Sequence, residues 1–216
     1  MELQKVYRTL VVDPPWQFRR QSERIRPHYG LMDLEAIKHF PLADMAAEDS
    51  HLYLWVPNAM ISEGYEVMKA WGFKYKTMVV WIKKQMGMGN YYRNCTEPVL
   101  FGVKGRLPPL RRDVRTYFAA DRRQHSRKPD LFYQIVESMS PGPRIDVFSR
   151  ESRAGWDQWG NQCDFFNQPQ GGSDEREQIA ETDGSCRAAG GSANDSVRLD
   201  QRPADSFSEG RPAAEV

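Results

Sequence analysis

Residues 7–16 read YRTLVVDPPW, and the parsing of the whole chain turns on them. Tyr7 to Val12 is a short β-branched run suited to a buried strand. Asp13-Pro14-Pro15 ends it, because neither proline can donate to a ladder. Working outward, residues 17–32 are polar and arginine-rich without a period. Asp33 is a candidate N-cap for a short helix to Phe40, stopped by Pro41. His51 to Val56 (HLYLWV) predicts a second buried strand closed by Pro57. Asn58 is placed to cap a helix through Trp71, with Ile61, Tyr65 and Met68 on one face and Gly72 as the stop. Phe73–Ile82 and Pro98–Val103 predict two further strands, and Val114–Ala119 a weaker fifth. Pro129 suits the first position of a helix to about Met139, with Leu131, Ile135, Val136 and Met139 on its inner face. Ile145–Phe148 predicts the last strand. Buried strands alternating with helices indicate an α/β three-layer sandwich with a mainly parallel sheet. Ligands of such sheets bind beyond the carboxyl ends of the strands. The loops after Val12, Val103 and Phe148 are therefore the expected site.

Composition divides the chain. Of its 216 residues, the 50 from Asn167 onward contain one aromatic, no Lys, five Arg and ten acids, a net charge of −5. Residues 1–166 then carry 25 basic and 19 acidic residues, a net of +6, with 24 of the 25 aromatics. The expected organisation is a single domain over 1–166 followed by a disordered acidic Gly/Ser-rich tail over 167–216, too poor in apolar residues to offset its ordering entropy. No apolar run approaches the roughly 18–20 residues of a membrane span. The charged start lacks a signal-peptide pattern, so a cytoplasmic protein is expected. Cys95, Cys163 and Cys186 form no CxxC pair and the four histidines show no ligand spacing, so neither a disulfide framework nor a metal site is expected.

Asp13-Pro14-Pro15-Trp16 carries the chemistry. The plain reading is a strand-terminating turn with an aromatic packed over it. The functional reading uses each part. A carboxylate and the Pro14 carbonyl accept the two N–H groups of an aromatic amine, and Trp16 offers a flat face for a base. An exocyclic adenine amine is a poor nucleophile because its lone pair is delocalised into the ring. Two fixed acceptors stabilise the positive charge that grows on nitrogen as a methyl group arrives. An aspartate of ordinary acidity suits that task.

At this point the chain resembles the N6-adenine methyltransferases that carry a DPPW motif. That family includes the eukaryotic mRNA adenosine methyltransferase and many bacterial and phage DNA enzymes. Beyond the tetrapeptide, Tyr29-Gly30, HLYLWV, Glu97–Gly105 (EPVLFGVKG), Ser126–Asp130 (SRKPD), Asp146–Arg150 (DVFSR) and Trp156–Gln162 (WDQWGNQ) are similar to family blocks in family order, over residues 7–162. The resemblance implies a Rossmann-like, permuted class I methyltransferase fold that uses S-adenosyl-L-methionine. It implies that Asp13, Pro14, Pro15 and Trp16 form the catalytic element. Asp13, Lys128, Phe148, Arg150, Asn161 and Gln162 would contact the cofactor, and Tyr29 and Glu97 the target. Glu151-Ser152-Arg153 stands where the family's mRNA enzyme has a His-Asn pair, and no glycine-rich cofactor loop is present.

Plainer readings stand beside several of these. Glu97 also fits an ordinary strand start, and Lys128 a solvated helix-entry lysine. Trp55, Trp71 and Trp81 read as core, and Trp156 and Trp159 as packing residues. Between Lys104 and Lys128 lie nine basic and two acidic residues, and Arg19, Arg20, Arg24 and Arg26 form a second cluster. Basic runs are usually solvated surface. Here arginines dominate and flank the catalytic strand end, which suits phosphate contacts, with Arg112 and Arg123 among the substrate-binding candidates. An adenine amine inside a duplex is out of reach, so the target must be flipped out or single-stranded. The expected activity is adenine-N6 methylation of DNA. RNA is the alternative substrate, a non-catalytic nucleic-acid-binding subunit the alternative role, and a homodimer is allowed.

Overall fold

The computed structural model describes residues 5–17, 30–87, 91–123 and 127–160. Tyr29, Asn161, Gln162, the arginine cluster at Arg19, Arg20, Arg24 and Arg26, and the expected tail lie outside these residues. The chain opens with β1 (Tyr7–Val12), then two short helices, α1 (Leu34–Lys38) and α2 (Leu42–Met45), before β2 (Ala46–Trp55). A single 3-10 turn at Asn58–Met60 leads into α3 (Ile61–Ala70), followed by β3 (Lys74–Ile82), β4 (Thr96–Lys104) and β5 (Tyr117–Ala119). The final elements are α4 (Asp130–Met139), β6 (Arg144–Val147) and β7 (Asp157–Trp159).

Among the described residues, seven strands form one sheet in the order β5-β3-β4-β2-β1-β6-β7. β1 is parallel to both β2 and β6, β6 to β7, and β3 to β5. β4 is antiparallel to β2 and to β3. Six strands thus share a direction and β4 alone reverses it. The sheet is mainly parallel, as expected, and the reversal matters for the site.

Strand alternation explains the three layers. Leu10, Val12, Leu52, Leu54, Leu100, Ile145 and Val147 point to one face, where they pack with Ile37 of α1, Leu42 of α2, and Val67, Met68 and Trp71 at α3. Val11, Tyr53, Trp55, Trp81 and Val99 point to the other, against Phe132, Tyr133 and Val136 of α4. Each fully buried Leu or Val contributes about 1.5–3 kcal/mol. The second face is the more aromatic, with Trp55 and Phe132 ring centroids 4.7 Å apart.

The helices start and stop largely as their sequences dictate. Asp33 caps α1, its Oδ1 accepting from the Ala36 amide at 2.7 Å, and Gly72 ends α3 at φ 80°. Three expectations are corrected. Asn58 caps nothing; its amide donates to the Thr96 carbonyl at 2.8 Å and so ties the turn to β4. The inner face of α3 is Gly64, Val67 and Met68, while Tyr65 is exposed. A side chain at 64 would bring its Cβ to 2.8 Å from Val56 and 2.9 Å from Leu100, so glycine sets how closely α3 approaches the sheet. In α4 the inner face is Phe132, Tyr133 and Val136, and Leu131 faces outward. α2 and β7 were not anticipated.

Candidate functional site

The carboxyl ends of β1, β2, β3 and β6 lie along one edge of the sheet, and reversal of β4 brings its amino end to the same edge. The loop after Val103 therefore lies at the far edge, contrary to expectation, whereas Thr96 and Glu97 join the cleft. A strand's period of two then aims the decisive groups. Asp13 follows Val11, Lys83 follows Trp81 (two residues on in each case), and Glu97 sits opposite Trp81. All three continue the aromatic face above Trp55. Pro129 starts α4 on that face and delivers Lys128 just before it.

These groups line a cleft of about 330 Å³ together with Trp16, Asn94 and Arg122. Lys128 Nζ lies 3.1 Å from Asp13 Oδ2 and 3.3 Å from Glu97 Oε2. The other Glu97 oxygen is bound by Lys83 Nζ. The two ammoniums also sit over indole rings, Lys128 at 4.3 Å from the Trp55 centroid and Lys83 at 4.8 Å from that of Trp81. The result is an alternating chain, Asp13–Lys128–Glu97–Lys83, of zero net charge on an aromatic floor. Such compensation is what lets charges persist away from water.

The four groups respond differently to burial. Desolvation dominates at Asp13 and raises its carboxyl above the ordinary range, against the pull of Lys128. This departs from the ordinary acidity expected from sequence; Glu97 nearby adds to the rise. At Glu97 burial also works upward, but Lys128 and Lys83 outweigh it and hold the carboxyl below its usual range. Burial works to discharge Lys128, and the two carboxylates outweigh it and raise its pKa. Glu97 is thus the firmly ionised carboxylate, and Asp13 the one more readily protonated.

The prolines fix Asp13. Its amide donates to the Val147 carbonyl at 3.3 Å, extending the ladder one residue past β1. The Pro14 carbonyl accepts from the Trp16 amide at 2.8 Å, which leaves one lone pair for a ligand. Pro15 accepts from Met32 at 2.9 Å, closing the loop that leaves the tetrapeptide. Trp16 is largely buried and donates from Nε1 to the Trp55 carbonyl at 3.0 Å. Its main contact is thus with the core, although it still contributes to the cleft wall.

On the β6 side, Phe148 holds a left-handed backbone at φ 64° and packs against Phe40 and Trp159. Arg150 is close enough to act electrostatically on Asp13. Arg123 is not in the cleft; it donates to Asp130 Oδ1 at 2.8 Å, and its neighbour Arg122 lines the wall instead. Arg112 is also elsewhere. The Leu110 amide binds the Met139 carbonyl at the end of α4, so this segment lies about 15 Å, the length of ten helical residues, from the Lys128 end. The basic run is thus split between the two edges of the sheet.

Sequence reasoning missed Lys83 and Asp146. Lys83 follows a buried strand as Asp13 does, and that position was the available signal. Asp146 sits on β6 beside Val11 and accepts from the Tyr133 hydroxyl at 2.7 Å. Burial pushes its carboxyl up to about 7, against the Tyr133 hydrogen bond and with the charge of Asp13 adding to the rise. Among the described residues, no group of three or more His, Cys, Asp or Glu side chains is placed to hold a metal ion. No helix among them is long and apolar enough to cross a membrane.

The chain is similar to several characterised proteins. It is 28% identical to the type II methyltransferase M.MunI of Mycoplasma sp. over 180 residues, covering 72% of this chain and 77% of that protein. It is 26% identical to the human N(6)-adenosine-methyltransferase catalytic subunit METTL3 over 73% of this chain, and 27% identical to an MT-A70-like N(6)-adenosine-methyltransferase of Arabidopsis thaliana over 75%. The matched region spans 28% and 24% of the lengths of those two proteins. The MT-A70 family model matches residues 7–162, from the opening strand beyond the last. With the opening strand, the Asp13-Pro14-Pro15-Trp16 turn and the closing strands inside one continuous match, this chain belongs to the MT-A70 family.

Proposed function

We propose that the chain transfers the methyl group of S-adenosyl-L-methionine to the N6 amine of an adenine in DNA. The observation that carries this reading is the fixed pair of acceptors at the end of β1, the Asp13 carboxylate and the spare lone pair of the Pro14 carbonyl. Asp13 opens into a cleft with an aromatic floor, and Pro14 directly follows it. An aromatic amine donates two N–H bonds, and this pair offers one acceptor for each.

The donor set suits the cofactor. A carboxylate at Asp13 complements a cationic group, and Lys128 and Arg150 complement a carboxylate. When bound, the cofactor supplies an electrophilic methyl group on a cationic sulfur. The residues of this chain do the rest. Asp13 and Pro14 hold the amine so that its nitrogen faces the donor, and positive charge growing on that nitrogen meets a preorganised anion in a site of reduced polarity. Asp13 can then take the surplus proton, for which its raised pKa fits it better than that of Glu97. Glu97, held ionised by two lysines, is a hydrogen-bond acceptor toward the base, and Lys83 keeps it so. Lys128 bridges the two carboxylates and prevents them from repelling one another.

DNA is favoured over RNA because the likeness to the type II methyltransferase runs through most of both chains. The likeness to the adenosine methyltransferases is confined to about a quarter of their length. An adenine amine inside a duplex is out of reach of the cleft groups, so the adenine enters extruded or from an unpaired strand. The domain boundary near residue 166 and the acidic tail belong to the same proposal, with catalysis assigned to 1–166. The test incubates the chain with cofactor labelled on its methyl group and DNA or RNA oligonucleotides with and without adenine. Label recovered as N6-methyladenine from DNA supports the reading. Label only in RNA would reassign the substrate, and no transfer to either would overturn the activity.

A further inference from the structure

We infer that Arg122 is a phosphate clamp for the target nucleotide, gripping one of the two backbone phosphates that flank the adenine held in the cleft. This rests on the activity proposed above and adds to it how the substrate strand is fixed at the cleft. β5 runs parallel to β3 and pairs Phe118 with Trp81. The Ala120 amide still donates to the Ile82 carbonyl at 3.3 Å. Asp121 and Arg122 therefore follow just past the carboxyl ends of both strands, at the edge of the sheet that carries the cleft. Arg122 lines the cleft and is exposed, which puts its guanidinium within reach of both the interior and solvent. Its Nη2 lies 3.4 Å from where a Cβ on Gly87 would stand, so it rests against bare backbone of another lining residue.

Charge sets Arg122 apart from its neighbours. Of the charged residues in the lining, Asp13, Lys128, Glu97 and Lys83 pair among themselves and leave Arg122 as the surplus cation. The acids near it in sequence are taken. Asp121 lies 3.1 Å from Lys84, and Asp130 accepts from Arg123 at 2.8 Å and from Arg153 at 2.9 Å. Arg127 is bound to Glu151. Among the described residues, no ion pair or hydrogen bond occupies the Arg122 guanidinium. An extruded nucleotide has one uncharged part, the base, and one anionic part, the phosphodiester. The cleft meets the first with a charge chain of zero net charge on an aromatic floor and the second with a planar fork that matches two phosphate oxygens. Such a contact fixes the register of the strand without reading its sequence. The other anion of the proposed reaction is the cofactor carboxylate. Arg122 follows β5 at one end of the sheet, whereas Arg150, which complements that carboxylate, follows β6 on the other side of β1.

The experiment uses the full chain and its Arg122→Ala and Arg122→Lys variants. The probe is a fluorescent single-stranded DNA oligonucleotide with a single adenine among pyrimidines. It is made in three forms: unmodified, with a neutral methylphosphonate at a phosphate flanking the adenine, and with the same replacement at a distant phosphate. Affinities are measured over a range of salt concentrations. Arg122→Ala should weaken binding of the unmodified strand by about tenfold at low salt and reduce the slope of log affinity against log salt by about 0.7. Arg122→Lys should keep the slope and recover part of the affinity. A flanking methylphosphonate, on one side of the adenine, should weaken the wild-type chain and leave Arg122→Ala unaffected, while the distant one affects both chains equally. Wild-type affinity in Arg122→Ala, or losses from the variant and the flanking replacement that simply add, would overturn the inference while leaving methyl transfer intact. Weaker binding of S-adenosyl-L-methionine by Arg122→Ala with the oligonucleotide affinity kept would also overturn it, moving the guanidinium to the cofactor. Coupling between Arg122 and the flanking phosphate without methyl transfer by the wild-type chain would instead fault the proposed activity and not the clamp.

Discussion

Lys128 Nζ lies 3.1 Å from an oxygen of Asp13 and 3.3 Å from one of Glu97, so a single ammonium bridges both carboxylates of the cleft. Removing one member of a buried charge set leaves the others uncompensated. Lys128→Met is therefore expected to lower kcat/KM for methyl transfer by at least about a hundredfold, equivalent to roughly 2.7 kcal/mol. Lys128→Arg keeps the charge but not the point geometry, and should recover only part of the loss. Steady-state kinetics of both variants check this, and near wild-type rates for Lys128→Met would remove the ammonium from the account.

Asp146 yields a prediction about stability. Its folded pKa of about 7 lies above the unfolded value near 3.9. Between those values the native state binds the extra proton, so stability falls as pH rises through the window, by up to about 1.4 kcal/mol per pH unit. Asp146→Asn still accepts the Tyr133 hydroxyl and removes the titration. Its stability relative to wild type should improve steadily from pH 4 to pH 7 and then level off. Denaturant melts across that range measure it; parallel curves would contradict the assignment.

Gly64 sets the distance between α3 and the sheet. A methyl group there meets Val56 and Leu100 at 2.8 and 2.9 Å. Overpacking of this kind costs about 1–3 kcal/mol, and the better helix propensity of alanine returns up to about 1 kcal/mol. Gly64→Ala should lower stability in chemical denaturation without changing transfer per folded molecule, since α3 and the cleft lie on opposite faces.

A clasp joins the segment that carries Lys128 to the loop after β6. Glu151 accepts two bonds from Arg127, which directly precedes Lys128, and also lies 3.5 Å from Arg153. Both side chains of the Arg127–Glu151 pair are about four-fifths buried. Charge reversal at either residue is expected to reduce kcat/KM several-fold, and the paired reversal, Arg127→Glu with Glu151→Arg, to restore part of it. A double-mutant cycle on transfer rates measures the coupling, expected near 1 kcal/mol.

Local sequence signals reached as far as the individual elements but not their mutual direction. The run YRTLVV and the two prolines after it fixed β1 and its end to the residue, and Asp33 fixed the start of α1. The direction of β4 was not encoded in the period of TEPVLFGVK, because alternation is the same whichever way a strand runs. That one unknown placed Glu97 in the cleft and carried Arg112 to the far edge. Helix faces were misjudged where a small residue packs inward. Gly64 has no hydrophobic side chain to register in a periodic pattern, so Tyr65 was assigned its place. Lys83 and Asp146 escaped because each acquires its meaning from neighbours distant in sequence, Glu97 for one and Tyr133 for the other.

The most direct test of the central claim compares Asp13→Ala with the wild-type chain for cofactor-dependent formation of N6-methyladenine in an oligonucleotide, alongside oligonucleotide binding and thermal stability. The account predicts loss of methyl transfer by three or more orders of magnitude, with folding retained and oligonucleotide affinity changed by no more than about tenfold. Methyl transfer within tenfold of wild type in Asp13→Ala would contradict it.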